Sequence, residues 1–205
     1  MRFIATAAAL GLVSLTIQAR ADILAGSSAF NLQEIVDAFG DEQGQTLTLP
    51  IAADITSIEL LIGRANIAVV LTDPIVVDLF ATAESPLNGP QPTGSPIATG
   101  SVAPFMSSSF EWRSFDFGGV VALETDTTYA IVVSSTDTGG YAWAGTNNGD
   151  YEDGNEISRN LGDTIWVQQP QGEQTFRVIG TFIPEPASAV LLALCLGGLT
   201  LRRRR

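Results

Sequence analysis

The sequence predicts an all-β protein: an antiparallel two-sheet β-sandwich of jelly-roll type, with an apolar targeting helix at each end. Three observations carry that prediction. Through the middle of the chain, apolar residues recur with period two in short runs broken by Gly, Pro, Asp and Ser. No helical segment separates those runs, which excludes parallel β-α-β wiring and leaves antiparallel sheets packed face to face. The two ends differ from the middle, each being a continuous apolar stretch next to arginine.

Residues 1–21, "MRFIATAAALGLVSLTIQARA", have the parts of a secretory signal peptide: a charged Arg2, an apolar stretch over residues 3–17, and Ala19 and Ala21 at A-x-A spacing. Cleavage after Ala21 would start the mature protein at Asp22. The apolar stretch is short, and Gln18 and Arg20 interrupt it, which argues against a permanent anchor.

Residues 22–183 form the predicted sandwich domain. "QTLTLPI" puts Leu47, Leu49 and Ile51 on one face, and "DITSIELLI" does the same with Ile58, Leu60 and Ile62. "IAVVL" and "IVVDLF" follow, with Thr72, Asp73 and Pro74 as the turn between them. Further on come "FEWRSFDF", "TTYAIVVSS", "TIWVQ" and "QTFRVIGTF", with Tyr129, Ile131 and Val133 on one side of their strand and Phe176, Val178 and Phe182 on one side of theirs. The pattern gives about nine or ten strands. Only "NLQEIVDAF" has helical spacing, through Leu32, Ile35, Val36 and Phe39. "ESPLNGPQPTGSP" and "TNNGDYEDGNE" read as loops. The single cysteine, Cys195, lies outside this domain, so no disulfide staples it, and about 160 residues can bury enough core to stand without one.

Charge excludes several functions. Within residues 22–183 only Arg64, Arg113, Arg159 and Arg177 stand against 21 of the chain's 22 acidic residues, a net charge of −17, and the chain has neither lysine nor histidine. Such a surface repels phosphate backbones, so no nucleic-acid partner is expected. Without His, Lys or an exported Cys there is no Ser-His-Asp triad, Cys-His pair, Schiff-base amine or imidazole-bound zinc. What survives is a carboxylate pair of glycosidase type, which needs two acids about 5 to 9.5 Å apart across a sugar. Glu111 and Asp116 differ by five positions and point to opposite faces of their strand, so no catalytic residues are assigned.

Two binding sites are candidates. The densest acidic stretch offers Asn148, Asp150, Glu152 and Asp153 as calcium ligands, since calcium takes six to eight oxygens of this kind. The spacing is not that of an EF-hand, and a solvated acidic loop is the competing reading. Tyr141 and Trp143 share a strand face leading into that loop and could present flat rings to a sugar. Large aromatics equally serve as core, and for Trp112 and Trp166 core is the expectation.

The C-terminal segment, residues 184–205, has three parts in order. Pro184, Glu185 and Pro186 come first, then the uncharged residues 187–201, then Arg202, Arg203, Arg204 and Arg205. As a helix the apolar part would reach about 22 Å, against a hydrocarbon core of about 30 Å. The arginines would hold its end on the cytoplasmic side, and the prolines would keep an extended peptide accessible on the outer side. This order closely resembles the PEP-CTERM sorting signal, with Ile183 where valine is frequent. The resemblance implies a Gram-negative host and transient residence in the inner membrane. It also implies recognition by an exosortase, a membrane cysteine transpeptidase that cuts near the Pro-Glu-Pro, and a final place at the cell surface or in exopolysaccharide. "EWRSFDFGGVVALETDTTYAIVVSS", "YAWAGTNNGDYEDGN" and "QTFRVIGTF" resemble the choice-of-anchor domains, of R type, found upstream of such tails. That resemblance implies a sandwich and little chemistry.

Overall fold

The computed structural model describes residues 21–27, 32–66, 68–137, 140–147, 151–160, 163–169 and 172–183, with residues 36–41 excepted. Among the described residues there are thirteen strands and no helix, in two antiparallel sheets that pack as a β-sandwich. Residues 1–20 and 184–205, over which the two targeting helices are expected, lie outside the described residues. No helix among the described residues is long and apolar enough to cross a membrane.

The first sheet is built on β4 (Ala53–Arg64), which pairs with β7 (Glu111–Leu123) on one side. On its other side it meets β13 (Phe176–Phe182) along most of its length and β9 (Tyr141–Thr146) at its end. β1 (Asp22–Gly26) extends the sheet beyond β13, and β2 (Leu32–Ile35) extends it beyond β9. β4 and β9 diverge at Leu61, and the chain enters the fork at Thr175, between β12 (Glu173–Gln174) and β13. There the Thr175 N–H donates to the Ala144 carbonyl (2.7 Å) and the Thr175 carbonyl accepts the Leu61 N–H (3.2 Å). The second sheet runs β11 (Val167–Gln169), β10 (Glu156–Arg159), β3 (Glu42–Thr48), β8 (Thr128–Ser135), β5 (Ile75–Ser85), β6 (Gly89–Val102).

The alternation read from the sequence sets the inward faces. Leu47, Leu49, Ile58, Leu60, Ile62, Ile131, Val133, Phe176 and Val178 all join one core between the sheets. A register shift between Ile55 and Ser57 changes the phase of β4, which lets both Ile55 and Ile58 face inward. β8 is buried on both faces: Ala130 and Val132 lie outside the sandwich under Ile157 and Trp166, which explains why "YAIVV" is apolar without interruption.

Five expectations are corrected. Of "IAVVL", residues 68–71 form no strand and belong to the connection between β4 and β5. Leu32 and Ile35 lie on a strand and not a helix, because four residues gain more from pairing with β9 than from an unsupported helical turn; Val36 and Phe39 lie outside the described residues. "ESPLNGPQPTGSP" is mostly a hairpin, turning at residues 86–88 into β6. Pro90 and Pro92 sit opposite Glu84 and Thr82 on the outermost strand, where a missing N–H breaks no ladder. Ile51 does not continue the Leu47 and Leu49 face, since β3 ends at Thr48 and the chain bends at Pro50. Phe182 is exposed at the end of its strand, beyond the core that takes Phe176 and Val178.

The outermost strands of the two sheets, β6 and β7, close one side of the sandwich by direct approach. A Cβ added at Gly100 would come within 2.9 Å of the Phe115 carbonyl carbon, so glycine is required there by proximity. On the other side of β4, β1 and β13 bring Asp22 opposite Gly180, placing the start of the first strand and the end of the last at the same end of one sheet.

Candidate functional site

Tyr141 and Trp143 do share a face of β9, as their spacing requires, but that face points into the core and both side chains are fully buried. The Trp143 Nε1–H donates to the Thr175 carbonyl (2.9 Å), the group at the point where the sheet forks. The Tyr141 hydroxyl donates to the Asp73 carbonyl (2.9 Å), and its ring leans on Phe105 with centroids 5.3 Å apart. Burial, then the carboxylates of Asp137 and Asp73, push its phenol up to about 12. A sugar cannot reach either ring without opening the core, so the aromatic platform is not formed. The glycines on either side of Trp143 give the segment a loop-like composition that conceals a fully buried strand.

Trp166 is buried on the outer face of the second sheet, and Trp112 is half-buried on the outer face of the first. Each is covered by an arginine that also meets a carboxylate. Arg159 lies over Trp166 (4.8 Å from its guanidinium carbon to the ring centroid) and pairs with Glu42. Arg177 lies over Trp112 (3.7 Å) and pairs with Glu59. Arg113 repeats the arrangement with Phe105 (4.6 Å) and Glu111. Arg64 donates to the Val69 carbonyl. The four arginines of the sandwich are thus engaged internally, and the charge the domain presents is dominated by carboxylates.

Glu111 and Asp116 engage separate partners, as their spacing predicts. Glu111 meets Arg113 (2.6 Å), while Asp116 accepts the Gly118 N–H (2.6 Å).

Of the calcium candidates, Asn148 and Asp150 lie outside the described residues, and Glu152 and Asp153 are exposed at a turn. Both ends of that turn are fastened. On the leading side, the Tyr151 ring meets Phe176 edge-on (5.2 Å, 89°). Its hydroxyl donates to the Thr48 carbonyl (3.0 Å) and accepts the Thr48 N–H (3.2 Å), and its own N–H donates to Glu173 Oε2 (3.1 Å). Burial raises the Tyr151 phenol well above its ordinary value, against the Thr48 N–H, with Asp153 and Glu173 adding to the rise. On the trailing side, Asn155 and Thr46 bond in both directions. Among the described residues no group of three or more Cys, Asp or Glu side chains is arranged to hold a metal ion.

A well-bonded carboxylate among the described residues is one that sequence reasoning missed. Asp137 accepts the N–H groups of Thr72 and Asp73 (both 2.8 Å) and the Thr72 hydroxyl (3.1 Å). Reciprocally, the Thr136 hydroxyl donates to Asp73 (2.6 Å). Burial pushes the Asp137 carboxyl up, but these donors together outweigh it and hold it below the ordinary value of 3.8. The sequence holds three Thr-Asp dipeptides beside strand ends, 72–73, 125–126 and 136–137, and nothing in it pairs the first with the third. The crosswise bonding of those two ties two loops together.

The sorting candidates Pro184, Glu185, Pro186, Arg202, Arg203, Arg204 and Arg205 lie outside the described residues. The structure does fix where that segment begins: the Ile183 N–H donates to the Ala52 carbonyl (2.8 Å), so the last strand is held up to the residue before Pro184. No family model and no curated protein matches this chain.

Proposed function

We propose that this chain is a secreted, non-catalytic surface or extracellular-matrix protein, a β-sandwich of jelly-roll type sorted by its C-terminal segment. In this reading an exosortase cuts near Pro184, Glu185 and Pro186 while residues 187–201 occupy the inner membrane, and the product joins the exopolysaccharide or the cell surface. The observation that carries the reading is the three-part order of proline pair, uncharged run and arginine cluster, starting one residue after a strand that is bonded to its end. The run is short for a stable span, and the arginines fix its orientation. With Tyr141 and Trp143 in the core, association with polysaccharide is assigned to the sorting step and not to a sugar-binding platform on the sandwich.

The test is the mature C-terminus, determined by mass spectrometry on protein from the surface or matrix of producing cells. The expected product ends close to Pro186 and begins at Asp22. Recovery of the chain with Arg202 to Arg205 still attached, from finished surface material, would overturn the reading.

A further inference from the structure

The end of the sandwich from which the C-terminal segment departs is exposed and apolar. Ile51 is 43 % exposed, Phe182 43 % and Ile183 39 %. They are neighbours, since Phe182 pairs with Ala53 and the Ile183 N–H bonds the Ala52 carbonyl. Asp22, the first residue after the predicted cleavage site, lies at the same end, opposite Gly180. Both membrane-directed segments of the sequence therefore attach to this one pole.

The reach of the chain turns this placement into a constraint. Only Pro184, Glu185 and Pro186 separate Ile183 from the uncharged run, and the four extended steps from Ile183 to Ala187 span at most about 14 Å. The bond from Ile183 to Ala52 removes slack on the sandwich side, and the two prolines limit it on the other. With residues 187–201 in the bilayer, the pole must lie within about 14 Å of the hydrocarbon, while each polar headgroup layer is itself roughly 5 to 8 Å thick. Exposed isoleucine and phenylalanine are costly in water and favoured at that depth. We infer that Ile51, Phe182 and Ile183 form a bilayer contact, so that the sandwich stands with this pole against the membrane surface until its tail is cut. The inference rests on the tail reading and adds the orientation of the folded domain. Asp22, Glu124 and Asp126, all exposed at the same end, border the apolar residues and direct the contact toward zwitterionic headgroups over anionic ones.

The test uses the full chain with Cys195→Ala, so that one introduced cysteine is the sole thiol. A fluorophore is placed at Ile51→Cys or, at the opposite pole, at Val70→Cys, which is 75 % exposed. The length of β4, about 36 Å for its 12 residues, separates the two positions. Thr125→Cys, on the exposed turn whose hydroxyl bonds Pro50, gives a second reading at the near pole. The protein is reconstituted in phosphatidylcholine vesicles carrying headgroup spin-labelled lipid. Flotation with the vesicles, with fluorescence lost at positions 51 and 125 and retained at 70, is the expected result. Flotation with equal quenching at both poles, or with none at 51 and 125, overturns the pole contact and leaves the tail in the bilayer. Failure to float overturns the tail reading, and the pole contact with it.

Discussion

Trp143 shows how one side chain can look like a binding residue and serve as a structural one. Its ring fills the core where the first sheet forks, and its indole N–H holds the Thr175 carbonyl at the branch. Trp143→Ala should lower stability by about 3–5 kcal/mol, the range for truncating a buried large aromatic, as read from urea unfolding. Asp137 makes a complementary prediction. Its carboxyl titrates lower in the folded chain than in the unfolded one, so between the two values the unfolded chain binds the extra proton and stability rises with pH. The contribution is complete above the ordinary value of 3.8 and is lost as pH falls through the depressed one. Acid unfolding followed by tryptophan fluorescence should show that fall in the native protein. In Asp137→Asn stability should be lower near neutrality, and its decline with acid shallower.

Among the elements, the closure of the sandwich at β6 and β7 depends on a missing side chain. Gly100→Val would drive its Cβ into the Phe115 backbone, and the outer strands would have to separate; overpacking of this kind typically costs about 1–3 kcal/mol, which a lower thermal midpoint would register. The sequence disclosed elements where a local pattern and the tertiary environment agree. Alternation on β4, β8 and β13 named residues that do line the core, because a strand with one face inward must repeat every second residue. It misled where partners decide the outcome. β2 has helical spacing and becomes a strand because β9 lies alongside, and the proline-rich stretch becomes β6 because an outermost strand tolerates missing donors. The candidate sites divided the same way. The opposed directions of Glu111 and Asp116 follow from spacing alone, whereas the burial of Tyr141 and Trp143 depends on which face of β9 the other sheet covers, and no spacing within β9 reveals that.

At the scale of the molecule, acidity and arginine placement belong together. Three of the sandwich's arginines each lie over an aromatic ring while meeting a carboxylate, Arg159 and Arg177 on the outer faces of the sheets and Arg113 over the core residue Phe105, and among the described residues most acids face solvent. A domain of this charge repels like-charged surfaces and draws mobile cations from its surroundings. The pairing of β1 with β13 has a temporal meaning. Ribosomes deliver a polypeptide from its beginning, so the opening segment of this domain emerges well before its sheet neighbour exists. Completion of the barrier-crossing step that shapes the sheet must wait for the closing segment, a separation of more than 150 residues that places it among slow, non-local folding reactions. Until then the chain stays flexible along this edge, and it locks only when its final strand arrives.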